Sequence, residues 1–150
     1  MRSQLYNSSL SNSPTLYTCP TCHREFAKKE AKHWCTPETV DDVLAKSSEE
    51  VVLAFDAVLV ATADWTPNYV GAAKRAIVFA KDKAWMIARP ARKWLDLTVY
   101  FPEPRKRSFV HKIQPHFSGR KLQHVIRLHG EDELTEPVLK FLKAAWAEGK

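Results

Sequence analysis

All three cysteines of the chain, with one histidine beside the last, fall within seventeen residues, as C-x2-C-x10-H-x-C over Cys19, Cys22, His33 and Cys35. A segment so short cannot bury a hydrophobic core of its own, so something else must fold it. Structural zinc takes four thiolate or imidazole ligands in a tetrahedron, and a C-x2-C turn supplies two of them from one knuckle. His33 and Cys35 supply the second pair, Phe26 can serve as the small core between, and metal binding then drives folding. The expectation is one structural Zn2+ held by Cys19, Cys22, His33 and Cys35. His23 is a rival ligand, but it adjoins Cys22, where it cannot easily swing back to the same metal. An odd cysteine count without a secretory segment argues against disulfides. Four ligands also leave no open position, which a catalytic zinc would need.

The rest of the chain reads as one small domain. Residues 1–16 are Ser/Asn-rich and aperiodic, a disordered tail by composition. Residues 17–36 are the zinc finger, and 37–150 an α+β domain. Thr39 and Asp42 stand at capping-box spacing, as do Ser47 and Glu50. Behind them Val51, Phe55, Val58, Leu59 and Thr62 form one helical stripe. The middle predicts about five antiparallel strands: 76–81, 84–89, 95–101, 109–113 and 122–128. Leu95, Leu97, Val99 and Phe101 alternate with Asp96, Thr98 and Tyr100, so that strand has one buried face. Leu134, Val138, Phe141, Leu142, Ala145 and Trp146 mark a closing helix that starts near Thr135, because Pro137 suits only a first turn. Finger, helix, sheet and helix make an α+β layer with helices on one sheet face. The other face would carry Thr98, Tyr100, Lys112, Gln123 and Arg127.

Charge is unevenly spread. The chain carries net +6, yet residues 67–130 hold 14 basic and 3 acidic side chains, and residues 47–66 hold 4 acidic and none basic. Such asymmetry fits a polyanionic partner, and a solvated basic face fits it too. The basic residues cluster at Arg89, Arg92 and Lys93, at Arg105-Lys106-Arg107 and at Arg120-Lys121, in predicted turns, with Trp85, Trp94 and Tyr100 among them. Basic turns and aromatic rings can together hold the phosphates and bases of a single strand. The finger adds Lys28 and Lys32. It is not a base-reading finger by spacing, since His33 and Cys35 are two apart and cannot share a helix face as an i, i+4 pair does.

Enzyme signatures are missing. Four glycines leave no phosphate loop, no nucleophile elbow occurs, and no cysteine remains outside the finger. One pairing is of interest. If Ile113 lies opposite Leu122, His111 falls opposite His124 on the apolar face, with Arg127 nearby. That pair could be proton-sensitive or bind a ligand, and it could equally be two hydrogen-bonded structural histidines. No apolar run reaches the roughly 20 residues that span a bilayer, and the first residues lack a secretory stretch. A cytoplasmic protein without a membrane partner is expected.

The string CPTCHREFAKKEAKHWC, an acidic linker and helix, then RPARKWLDLTVYF and QHVIRL before a final helix, resembles the bacterial Domain of Unknown Function 5655 family. The likeness runs from about Tyr17 to Trp146. It implies the same four zinc ligands and a β-rich core, with His124 and Arg127 in a characteristic strand, and it implies no activity. Where similar chains tend to carry Gly after the second cysteine, this one has His23. The leading expectation is a non-enzymatic zinc-containing protein that engages nucleic acid. The alternatives are a small-ligand or protein-binding module, and an enzyme using His111 and His124. Purified protein is expected to hold one zinc per chain, and Cys35→Ser to release it. A metal-free protein whose finger folds normally would refute the assignment.

Overall fold

The computed structural model describes residues 17–20, 25–26 and 38–149. β1 (Tyr17–Thr18) and β2 (Glu25–Phe26) form an antiparallel ribbon, with Tyr17 opposite Phe26 and Thr18 opposite Glu25. Cys19 follows β1 directly and is buried. The tail, Cys22, His33, Cys35, Lys28 and Lys32 lie outside the described residues.

The domain behind is α+β, as expected. It has three helices, α1 (Val40–Leu44), α2 (Glu49–Thr62) and α3 (Glu136–Glu148), and a six-stranded antiparallel sheet. The strands are β3 (Tyr69–Ala73), β4 (Ala76–Ala80), β5 (Ala84–Pro90), β6 (Leu95–Phe101), β7 (Val110–Pro115) and β8 (Leu122–Leu128), in the order β3-β4-β5-β6-β8-β7.

Local chemistry starts each helix. The Thr39 hydroxyl accepts from the Asp42 amide at 3.1 Å while the Asp42 carboxylate accepts from the Thr39 amide at 2.9 Å, so the expected capping box opens α1. The cap of α2 falls one residue later than the spacing suggested. Ser48 accepts from the Val51 amide, and Ser47 instead donates to the Ala91 carbonyl at 2.9 Å, tying the helix start to the β5–β6 turn. All five stripe residues of α2 are buried. Thr135 precedes α3 with Pro137 in its first turn. At the far end the Lys81 ammonium donates to the Trp146 and Gly149 carbonyls at 2.9 and 3.0 Å. A cation there satisfies orphan acceptors and opposes the negative end of the helix dipole.

Two departures from the sequence reading matter. β3 was not expected, because it is short and, after Tyr69 and Val70, continues as Gly-Ala-Ala, a weak strand signal. Its turn, Lys74-Arg75, contains no glycine, and Arg75 takes the left-handed φ of 58° itself. The second is a bulge between β4 and β5. Phe79 pairs with Met86 but Ala80 with Ala84, leaving Trp85 as the extra residue. Trp85 is buried in the core against Phe79 and Trp65, at ring distances of 6.0 and 5.9 Å. It therefore cannot serve as an exposed stacking ring among the basic turns. Its indole donates to Asn68, and the Trp146 indole to the Pro67 carbonyl, so the α2–β3 loop is held against α3.

Leu97 sits at the centre of the buried face with no exposed area. Leu97→Ala is expected to lower the unfolding free energy by about 2–5 kcal/mol through lost transfer energy and the cavity left behind. Leu53→Ala, on the exposed side of α2, should cost less than about 1 kcal/mol. Urea denaturation of both variants is the check, and equal losses would contradict this core.

Candidate functional site

Alternation along β6 sends Asp96, Thr98 and Tyr100 to the face away from the helices, and the register fixes what stands beside them. Arg127, Val125 and Gln123 lie directly opposite on β8, and Arg89 and Ile87 lie opposite Asp96 and Thr98 on β5. Lys112 faces Val125 and Gln114 faces Gln123 from the edge strand β7. This is the outer face expected from the sequence. Its ladder is specific: Arg127 donates to both Asp96 oxygens at 2.8 and 3.0 Å, and its guanidinium stacks over Trp94 at 4.3 Å. Gln114 donates to Gln123 at 2.9 Å. Burial pushes the Tyr100 phenol up, partly offset by the Arg89 charge. The Tyr100 ring meets the His116 ring edge-on at 5.3 Å. Three cations thus share these strands with one carboxylate, beside half-buried rings. Such a surface can hold phosphates by charge and planar groups by stacking.

The basic clusters do not converge there. Arg89 lies on the outer face, and Arg92 and Lys93 are exposed in the β5–β6 turn. Arg105, Lys106 and Arg107 go elsewhere, for a topological reason. β6 and β7 both pair antiparallel with β8, so they run parallel to each other. Residues 102–109 must therefore cross back from one end of the sheet to the other. They do so on the helix side: Phe109 packs on Phe141 of α3 at 5.3 Å, and Arg105 bonds to Glu103 at 2.8 Å and to Glu148 of α3 at 2.7 Å. Arg105 also lies over the Phe101 ring at 3.9 Å. Its charge is spent on the fold, and it holds the Glu148 carboxyl below the usual carboxylate range. Arg107 donates to the Lys106 carbonyl at 2.8 Å.

The histidine register needs correcting. Ile113 lies opposite His124, and Pro115 opposite Leu122, so the register is shifted by two residues from that expected. Pro115 can join the strand because β7 is an edge strand, where a missing donor disturbs no ladder. His111 falls at a bulge between Val110 and Lys112 and is exposed. His124 is on the helix face with no exposed area, and Arg127 is on the outer face. The three do not meet. His124 instead has both ring nitrogens engaged: Nδ1 donates to the Leu122 carbonyl at 3.0 Å and Nε2 accepts from the Arg105 amide at 3.0 Å. Its ring stands edge-on to Phe101 at 5.1 Å. A neutral imidazole of that tautomer satisfies both bonds and pins the crossover to the sheet.

The sequence reading missed Phe117, which is 94 % exposed at the tip of the β7–β8 hairpin. It stands on the His116 ring at 4.0 Å. A signal was present, since His-Phe-Ser-Gly between Pro115 and Arg120 puts an aromatic residue into a glycine turn. The Gln114–Gln123 pair was hidden because the register was off by two.

Burial drives the His124 pKa below the ordinary histidine value, with the bond to Leu122 acting the other way. Protons then bind the unfolded chain first. Stability from the neutral ring is full above the unfolded value, about 6.5, and is lost as pH falls from there through the folded value. Thermal unfolding from about pH 7 to about pH 5 should show this decline. His124→Gln should be less stable at neutral pH and show a shallower acid-side slope. An unchanged slope would mean that other groups cause the loss.

Among the described residues no helix is long and apolar enough to cross a membrane. Neither a curated protein nor a solved structure matches the chain. A family model described as Domain of unknown function (DUF5655) matches residues 40–148, from the first turn of α1 to the end of α3 and excluding the Cys/His segment. With most of its length covered by that match, the chain belongs to the DUF5655 family.

Proposed function

We propose that this protein binds nucleic acid without catalysing a reaction, using the outer face of strands β5, β6, β8 and β7, with a zinc finger as its N-terminal module. The observation that carries the reading is the charge and ring content of that face. Arg89, Lys112 and Arg127 stand against the single carboxylate of Asp96, beside Trp94, Tyr100 and His116. Cations on a sheet with rings between them supply phosphate contacts and stacking together.

The zinc is part of the same reading. The β1–β2 ribbon brackets the C-x2-C segment in the chain, and Cys19 is buried beside it, which fits a knuckle that places two thiolates on one metal. Cys19, Cys22, His33 and Cys35 would hold the ion, whose part is to fold the finger. Lys28 and Lys32 would extend the cationic surface, as would Arg92 and Lys93 at the β5–β6 turn. Arg105 contributes least, because two carboxylates already neutralise it, and Lys106 and Arg107 leave from the helix side. A cytoplasmic location belongs to this reading. A second reading, a protein-binding module with incidental charge, draws on the exposed edge of β7.

Fluorescence anisotropy with labelled single-stranded DNA, duplex DNA and RNA across a salt series tests the proposal. The expected result is micromolar or tighter binding with a steep salt slope. Arg89→Ala and Lys112→Ala should each lower the magnitude of that slope by about 1. The triple change of Arg105, Lys106 and Arg107 to Ala should weaken binding less than the pair Arg89→Ala/Lys112→Ala. Absence of binding at low salt would remove the reading.

A further inference from the structure

The β7–β8 hairpin bears a feature that a purely electrostatic phosphate surface does not require. Phe117 is the most exposed large apolar side chain among the described residues, at 94 %. The backbone beneath it is held firmly. The His116 amide donates to the Lys121 carbonyl at 3.0 Å, and the Gly119 amide donates to the His116 carbonyl at 2.9 Å. Gly119 takes a left-handed φ of 72°, which a side chain would strain. The Ser118 hydroxyl lies 2.9 Å from His116 Nδ1 and accepts from the Arg120 amide at 3.3 Å. Folding therefore keeps an apolar ring in water on an ordered turn, although burying it would be worth about 1.5–3 kcal/mol.

We propose that Phe117 is a base-stacking residue and that it makes the interface prefer single-stranded over duplex nucleic acid. This rests on the reading above and names the form of its ligand. Three further observations point the same way. First, the rings form a path: Phe117 leans on His116 at 4.0 Å, and His116 meets Tyr100 of the outer face at 5.3 Å. Second, the rung that holds Tyr100 continues across β8 and β7 as the Gln114–Gln123 amide pair, whose mutual bond leaves one carbonyl and one amino group open to base edges. Third, no Asp or Glu occurs between Glu103 and Glu131, while Lys112, Arg120 and Lys121 flank the hairpin.

An unpaired base has a free face to lay on Phe117, and a base inside a duplex is already stacked on both sides. A lipid surface would also accept a basic turn with one Phe. It would make no use of the amide pair, and one ring is little apolar area for insertion. The nucleic acid is therefore the occupant that the whole hairpin fits.

The full-length chain is assayed with a labelled deoxythymidine oligomer, a duplex of equal length, and phosphatidylcholine vesicles containing phosphatidylserine. Wild-type protein should bind the single strand at least about tenfold tighter than the duplex. Phe117→Ala should lose roughly 5- to 150-fold of single-strand affinity, the factor expected for one stacked base. Its salt slope and duplex affinity should stay as they were. Phe117→Trp should retain the affinity, with its added indole fluorescence quenched on binding. Equal single-strand affinity of Phe117→Ala and wild type would overturn the inference and leave the nucleic-acid reading standing. Failure of every nucleic acid to bind would overturn both. Vesicle binding that depends on Phe117, without any effect on the single strand, would assign the ring to a lipid surface instead. Matching thermal unfolding of the variants rules out misfolding as the cause, since Phe117 touches little of the fold.

Discussion

β6 is the element on which the rest of this structure depends. Leu95, Leu97, Val99 and Phe101 are all without exposed area and face α2 and α3, while Asp96, Thr98 and Tyr100 face outward. A slip of one residue would exchange those two sets, at a cost of about 1.5–3 kcal/mol for each side chain brought out to water. The register with β5 and β8 is set by that demand. It in turn sets which polar groups stand together outside: Asp96 between Arg89 and Arg127, and Tyr100 beside Gln123. The outer ladder is thus a consequence of the inner core.

The sheet order creates a second constraint. Because β8 lies between β6 and β7, the connection from β6 must return the length of the sheet in eight residues, 102–109. Too short to build a helix there, it is held by side chains. His124 accepts the Arg105 amide, Glu103 and Glu148 hold the Arg105 guanidinium, and Phe109 packs on Phe141. The buried histidine matters because its acceptor lies inside the core, where an amide left without a partner would cost about 1–3 kcal/mol. The exposed ion pairs around it add little by themselves. They direct the chain along this path. A run of three basic residues that reads as a surface patch in the sequence is therefore partly a strap on the helix side.

The same topology leaves β7 as an edge strand, blunted by Lys112, Pro115 and the His111 bulge. Its far end carries the hairpin with Phe117, Arg120 and Lys121. The polar half of the molecule thus runs from Trp94 and Arg127 at one end of the outer face to Phe117 at the other. The acidic residues of α2 and of the segment before α3 lie on the opposite layer.

Much of the architecture was legible in local chemistry. The α2 stripe, the capping box of α1, the alternation of β6 and the proline near the start of α3 are short-range signals, each with one cheap physical solution. They determined an α+β domain with one buried sheet face and a polar one. The family likeness in the sequence was likewise legible, and the match over residues 40–148 bears out its domain part, while the Cys/His segment that the likeness also included lies outside the match. Tertiary structure decided what depends on partners distant in the chain. β3 exists because β4 offers its edge to a short segment in which only Tyr69 and Val70 favour a strand. Trp85 enters the core because a bulge turns it inward. His124 parts from His111 because the β7–β8 register is shifted and a bulge falls at His111, and Arg105 parts from Arg89 because β8 inserts between β6 and β7. None of these follows from periodicity, since each depends on which strand lies beside which, and that order is selected by burial of the whole sheet at once.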